Sequence, residues 1–163
     1  MATAVSAAAS SDKIGWCAPV YVGDTDESAI AEARPHIEAM FNVFLPKVSE
    51  LMFFPPGYMS NASLKNILAH KPAARYEKAT IEGLIEKGIL VCGSPKTVLA
   101  KLTAAHHEMG FQEFLTLLQF GTMPGNLAEK NIRLFAAEVL PALKGLTDRE
   151  YRGFETKTAV AAE

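Results

Sequence analysis

The sequence predicts a helix-rich α/β fold, a βαβα unit with a long helical insertion after its first strand. Two short apolar runs, residues 14–22 and 111–121, are typical of buried strands. A helix with clear start and stop signals leads directly into the second run, and an amphipathic helix follows it. These observations together place two strands and their following helices in one unit.

Composition limits the class of protein. The chain has 163 residues, 49% of them hydrophobic, which predicts one domain or one piece of a larger one and excludes a disordered tail. Lys and Arg number 16 and Asp and Glu 18, a net charge of −2 that excludes the basic footprint of a nucleic-acid binder. The mean hydropathy of +0.11 is slightly high for a small monomer, so we expect hydrophobic surface to be shared with a partner.

We expect residues 13–145 to form a single domain between a flexible N-terminal arm, residues 1–12, and a flexible C-terminal tail, residues 146–163, because both ends are rich in small residues. No segment has the roughly 20 apolar residues of a membrane-spanning helix, and no membrane partner is expected. Cys17 and Cys92 lie among apolar neighbours and are interpreted as buried small hydrophobes in a reducing, cytoplasmic protein.

Local signals mark the elements of the first half. Pro19 predicts that the first strand has a free or bulged side. Asp24, with Glu27 three residues later, is the expected N-cap of the next helix, and Pro35 is expected to kink or split that helix. Two short helices follow between residues 60 and 87, the first capped by Ser60 or Asn61 and the second by Thr80 and ending at Gly88.

The signals of the second half are sharper. Ser94 and Pro95 predict a helix start, and Gly110 predicts its end. The strand of residues 111–121 is apolar on both faces, as in a strand covered on two sides. Asn126 is the expected cap of the last helix, whose apolar stripe is predicted to comprise Ala128, Ile132, Phe135, Val139 and Leu143.

Few residues carry a chemical signal, and no catalytic residue or metal site is predicted. His36, His70, His106 and His107 lack ligand spacing and are interpreted as packed or surface residues. Lys71, Arg75 and Lys78 near His70 could face a phosphate, although a solvated surface is favoured. The N–H groups at Ser94 could hold an anion or only cap a helix, the second being favoured, and Gln119 could bind a ligand or a loop backbone.

A set of motifs then resembles one family. The motifs are a Gly-small-Pro helix start at residues 93–95, a Gly-Phe helix end, a strand ending in Gln-Phe-Gly, and the Leu-Phe-Ala-Ala-Glu-Val-Leu-Pro-Ala-Leu pattern of residues 134–143. Residues 19–42 and Pro-Pro-Gly-Tyr at 55–58 add to them. Residues 14–144 thus resemble the C-terminal portion of luciferase-like flavin-dependent monooxygenases.

The resemblance implies part of a (β/α)8 (TIM-type) barrel with FMN as cofactor. Residues 14–22 would be strand seven, 24–87 the long insertion, 94–109 helix seven, 114–121 strand eight and 126–143 helix eight. By position only, Gly93 and Ser94, and Gln119, Phe120 and Gly121, would lie toward the cofactor. Strands one to six are missing, because such a barrel takes about 250 residues.

Two functions follow from this comparison. By this resemblance the chain would be a piece of a monooxygenase that inserts oxygen by means of reduced flavin and is not catalytic alone, or it would be a non-catalytic interaction module derived from that family. Two strands cannot close a barrel, so we expect a homo-oligomer or a missing barrel half to cover the apolar surface. We also expect weak or no FMN binding by this chain alone.

Overall fold

A computed structural model describes residues 15–47, 57, 60–69 and 78–146 of the chain. These residues form six α-helices and a parallel sheet. The helix-rich α/β class is confirmed. A π-helical turn (Met40–Phe44) and a 3₁₀ turn (Leu45–Lys47) follow the first helix, and a π-helical segment (Phe135–Val139) joins the last two helices. The regular elements are β1 (Gly15–Val22), α1 (Asp26–Ala39), α2 (Asn61–Ala69), α3 (Ile81–Glu86), β2 (Val91–Gly93), α4 (Pro95–Met109), β3 (Glu113–Leu117), α5 (Gly125–Leu134) and α6 (Leu140–Leu143).

The sheet has three strands in the order β2-β1-β3, all parallel. The first part of β1 pairs with β3, from Gly15 opposite Glu113 to Pro19 opposite Leu117. The last part pairs with β2, beginning at Val20 opposite Val91. The ladder therefore changes partner just after Pro19. Two strands are predicted from the sequence, so the third strand, β2, is an addition.

Helices cover the sheet from both sides. Tyr21 packs in one core cluster with residues of α1 and α3, whereas its neighbours Val20 and Val22 pack in a second cluster with α4 and the segment after α5. Because successive side chains of a strand point to opposite faces, α1 and α4 lie on opposite faces of the sheet. Two features differ from a TIM-type barrel, in which consecutive strands are neighbours and all helices lie outside the sheet. In this chain β1 lies between β2 and β3, and helices lie on both faces of the sheet. Three strands cannot close on themselves, so helices bury both faces.

One part of the sheet is left uncovered. Cys17 is exposed, and its register partner Leu115 is 57% exposed, with Leu117 at 38%. We name these three residues the open sheet face. The expectation that the second strand is covered on both faces is wrong here, because no described helix packs on this side of β3. The expectation that Cys17 is buried is also wrong, whereas Cys92 is buried as predicted. Burial raises the pKa of the Cys92 thiol to about 12.

Helix ends follow the predicted signals in part. Ser94 caps α4 and left-handed Gly110 ends it, and Thr80 caps α3, all as predicted. Thr25, not Asp24, caps α1, because its hydroxyl and that of Ser28 form a reciprocal capping box.

Two prolines alter other predicted helix features. The helix α1 continues through Pro35 to Ala39 and is not split there. The N-cap of α5 is Pro124, not Asn126, and it provides no side-chain hydrogen bond.

Some predicted features lie outside the described residues. These are His70, Lys71 and Arg75 of the basic cluster, the arm of residues 1–12 and nearly all of the tail. Within the part of the chain that is described, no helix is both long enough and apolar enough to cross a membrane.

Candidate functional site

The residues that the sequence placed near a cofactor lie at one edge of the sheet. Gly93 ends β2, Ser94 follows it, and residues 119–121 follow β3; since the strands are parallel, these segments all lie at the carboxyl edge. In open parallel sheets, ligands bind at this edge where the chain connections diverge to opposite faces. In this sheet that point lies between β1 and β3.

Asn131 of α5 fills the gap between β1 and β3. Its side chain is fully buried, and its Nδ2 donates to the carbonyl oxygens of Val20 and Leu118, each at 2.8 Å. Its Oδ1 accepts a hydrogen bond from the Val22 N–H at 2.8 Å. The amide thus satisfies backbone groups that have no ladder partner beyond Pro19, and it occupies the crevice in which a ligand would lie.

Asn131 was not among the predicted site residues, and the prediction that Ile132 lies on the buried stripe is wrong. Ile132 is 47% exposed. The available signal was the spacing of Asn131 from Ala128 and Phe135, three and four residues away on the same helical face. Those two neighbours are buried with it.

The N-terminus of α4 holds an anion that belongs to the chain. The Ser94 N–H donates to Oδ1 of Asp26 at 2.6 Å, and the Thr97 hydroxyl donates to Oδ2 at 2.9 Å. These hydrogen bonds, led by that of the Ser94 backbone, lower the pKa of Asp26. Gly93 has a φ of 151°, and a Cβ there would lie 2.7 Å from the Asp26 carboxylate. Gly93 and Ser94 therefore accommodate Asp26, in keeping with the helix-cap interpretation.

A charged cluster covers the end of β1. The Tyr21 hydroxyl donates to Glu32 at 2.8 Å, and Lys130 Nζ contacts both Glu32 and Asp24 at 2.8 Å. Burial, followed by the hydrogen bond to Glu32, raises the pKa of Tyr21, so its hydroxyl stays a donor. Asp24 and then Glu32 raise the pKa of Lys130. The cluster ties α1 to α5, and the two carboxylates share one ammonium group.

The loop after β3 is held against α1. Gln119 Nε2 donates to the Met123 carbonyl oxygen at 3.4 Å, which matches the loop-backbone alternative. Phe120 is buried against Tyr21, with ring centroids 6.5 Å apart. Gly121 has a φ of 58°, and a Cβ there would lie 2.0 Å from the His36 carbonyl oxygen.

His36 and His106 both have structural contacts. His36 Nδ1 lies 2.8 Å from the Thr122 hydroxyl, and His106 is buried with Nδ1 2.9 Å from the Phe111 carbonyl oxygen. Within the described ranges, no three His, Cys, Asp or Glu side chains are grouped as metal ligands.

The contacts at the carboxyl edge of the sheet determine whether FMN fits there. A phosphate at Ser94 meets the Asp26 carboxylate, and a ring between β1 and β3 meets the buried Asn131. Gly121 has no room on the side of His36. The residues present do not fit FMN in the arrangement of this chain.

Comparison with known proteins gives a likeness of fold. No protein-family model matches the chain, and no curated protein is significantly similar to it in sequence. The oxygenating constituent of 3,6-diketocamphane monooxygenase from the CAM plasmid of Pseudomonas putida, a type II Baeyer-Villiger monooxygenase solved with FMN, is 21% identical with a TM-score of 0.52. The match covers 78% of this chain and 33% of that one.

A second solved structure is less similar. The monooxygenase RslO1 from Streptomyces bottropensis is 16% identical with a TM-score of 0.46, over 83% of this chain and 32% of that one. The chain thus spans about a third of the length of both structures. The resemblance predicted from the sequence is matched at the level of the fold, which is similar to part of the FMN-bound enzyme.

Proposed function

We propose that this chain is the C-terminal part of a luciferase-like, flavin-dependent monooxygenase and is not catalytic alone. The observation that carries the proposal is the fold similarity to an FMN-bound monooxygenase over most of this chain but only a third of that enzyme. In the proposal, the chain supplies the last two β/α units of the TIM-type barrel, with the long helical insertion. The remaining barrel strands supply the cofactor site, and the complete enzyme inserts oxygen with reduced FMN.

The misfit at the carboxyl edge supports the non-catalytic part of the proposal. Asp26 holds the N–H of Ser94, and Asn131 fills the space between β1 and β3. Gly93, Ser94, Gln119, Phe120 and Gly121 remain the residues proposed to lie toward the cofactor in the complete barrel. The contacts of Asp26 and His36 with this edge have to open before these residues reach a ligand.

A second candidate function, a homo-oligomeric interaction module, is favoured by the open sheet face. Cys17, Leu115 and Leu117 are exposed side by side, and β3 has no further strand neighbour among the described residues. An uncovered apolar strand at a sheet edge is a ready site for association with another chain. In this second function, another copy of the chain covers the open sheet face, whereas in the first function the missing barrel half covers it.

The two cysteines bear on the cellular compartment of the protein. Cys17 and Cys92 are unpaired and lie on different parts of the sheet. Unpaired thiols suit a reducing compartment, and we place the protein in the cytoplasm.

Two measurements on the purified chain test these functions. Light scattering at micromolar concentration gives its mass, and absorbance and flavin fluorescence during FMN addition give its affinity for the cofactor. We expect an oligomer and an FMN Kd above about 0.1 mM. A monomer contradicts the interaction module, and a preparation with stoichiometric FMN contradicts the proposal that the isolated chain lacks a working cofactor site.

A further inference from the structure

A half-open, mainly apolar cavity of about 520 Å³ lies between β3 and the helical segments that follow α5. Phe114 and Thr116 line it from the strand side, and Phe135 and Leu140 line it from the helical side. Since Phe114 and Thr116 alternate with Leu115, the cavity lies on the opposite side of β3 from the open sheet face. A partner that covers the open sheet face would therefore not fill this cavity.

The described part of the chain ends on the lining of the cavity. Leu143, Lys144 and Leu146 all line it, and Leu146 is the last described residue. The N–H groups of Gly145 and Leu146 donate to the carbonyl oxygens of Ala142 and Leu143, each at 3.1 Å, so the chain tightens into a turn at the end of α6. The C-terminal tail therefore leaves the fold at the rim of the cavity.

The sequence of this tail suits an apolar cavity. Beyond Leu146 it carries two aromatic side chains, Tyr151 and Phe154, whereas residues 1–14 at the other end of the chain carry none. Phe154 follows Leu146 by eight residues, which span up to about 26 Å when extended. The tether is thus long enough for Phe154 to turn back and reach any part of the cavity.

We propose that the side chain of Phe154 docks in this cavity and covers its apolar lining. A phenylalanine side chain buries roughly 150–250 Å² of surface and has no polar atom that needs a partner, whereas the hydroxyl of a buried tyrosine such as Tyr151 usually does. Glu155, the next residue, has a charge opposite to that of the exposed Lys144 on the lining. Because a short tether gives an effective concentration of about millimolar, a weak intrinsic affinity is enough to hold an otherwise flexible tail.

Disulfide formation within one chain measures where the tail lies. Thr156→Cys places a thiol two residues from Phe154, and Cys17→Ser removes the exposed natural thiol. The second thiol is placed on the cavity lining by Ala136→Cys. The matched control is Ala137→Cys, since Ala137 is an exposed neighbour in the same helical segment but does not line the cavity. Dilute samples are oxidised, and mass spectrometry follows the disulfide within single chains.

We expect the chain with Ala136→Cys to form its disulfide about tenfold faster than the chain with Ala137→Cys, because docking holds the tail beside the cavity. Phe154→Ser should abolish this preference, and Tyr151→Ser should preserve it. Equal rates for the two positions with the natural tail overturn the proposal. So does a preference that survives Phe154→Ser or is lost in Tyr151→Ser.

A disulfide that forms mainly between chains also overturns the proposal, because the tail of another copy then occupies the cavity. The substituted positions leave the fold itself intact, which circular dichroism of each chain checks. Cys17, Ala136 and Ala137 are exposed, and the other positions follow Leu146.

Discussion

Asn131 holds Val22 across 109 residues of chain, its Oδ1 accepting the Val22 N–H at 2.8 Å. The same amide donates to Val20 and Leu118, so one helical side chain fixes the ends of two strands. The ordered ladder between β1 and β3 ends at Pro19 and Leu117. The contact of Asn131 replaces the pairing that the strands lose after this point.

Replacing Asn131 by Leu should lower the free energy of unfolding by about 3–5 kcal/mol, because it leaves two buried backbone groups and one half-buried group without partners. Urea denaturation followed by circular dichroism measures the change. The control is Asn126→Leu at an exposed position of the same helix, which should shift stability by less than about 0.5 kcal/mol. Equal effects of the two substitutions would contradict the role given to Asn131.

Asp26 should make stability depend on pH in the acid range. Its folded-state pKa is lowered by hydrogen bonds from Ser94 and Thr97, so the unfolded chain binds the proton more tightly. The stabilisation is complete above the unfolded pKa of about 3.9 and is lost as the pH falls through the lower folded pKa.

Asp26→Asn should therefore lower stability by about 1 kcal/mol at neutral pH, and the difference should vanish in strong acid. Urea denaturation of both chains across the acid range measures this. Glu86→Gln, which removes an exposed carboxylate, is the control and should run parallel to the natural chain. If the difference in free energy of unfolding between Asp26→Asn and the natural chain stays constant with pH, the charge of Asp26 does not cause that difference.

Gly121 should tolerate no side chain in the present packing. The φ of 58° strains any other residue, and the Cβ of Gly121→Ala would meet the His36 carbonyl oxygen at 2.0 Å. We expect a loss of about 2 kcal/mol or more in the free energy of unfolding. Gly125→Ala is the control, since a Cβ there meets nothing within 4 Å, and thermal unfolding of the pair checks the result. A Gly121→Ala chain as stable as the control is incompatible with this close approach.

If the chain associates with itself as proposed, Leu115→Lys should weaken that association by about tenfold or more, because it places a charge at the centre of the open sheet face. Light scattering over a concentration series measures the change. Val43→Lys is the control at a comparably exposed apolar residue of the turn after α1, 44% exposed against 57% for Leu115. If Val43→Lys dissociates the oligomer and Leu115→Lys does not, association uses another surface.

The parts of the fold that local chemistry determines were predictable. The helix between Ser94 and Gly110 starts and ends as the sequence predicts, because an N-cap, a following proline and a left-handed glycine act within one turn. Thr80 likewise caps α3 through a local hydrogen bond that its side chain accepts from the Gly83 N–H. The α/β class also follows from apolar periodicity.

Features set by distant contacts were not predictable from the local pattern. Strand order depends on which strand lies beside β1, and the three residues of β2 are too few to show a periodicity. The exposed side of Leu115 depends on which helices cover β3. The site differs for the same reason: Ser94 was identified as a helix cap, but its hydrogen-bond partner Asp26 lies 68 residues away and no spacing rule connects them.

Asp26 also determines how this edge responds to dissolved anions. Its carboxylate is a tethered ligand of the α4 N-terminus, held there by the start of α1. A tethered group acts at an effective concentration of millimolar or more, so a free phosphate has to exceed roughly that concentration before it displaces the carboxylate. Phosphate below roughly that concentration should leave this end of the sheet unchanged, whereas any event that moves the first turn of α1 would open it to anions.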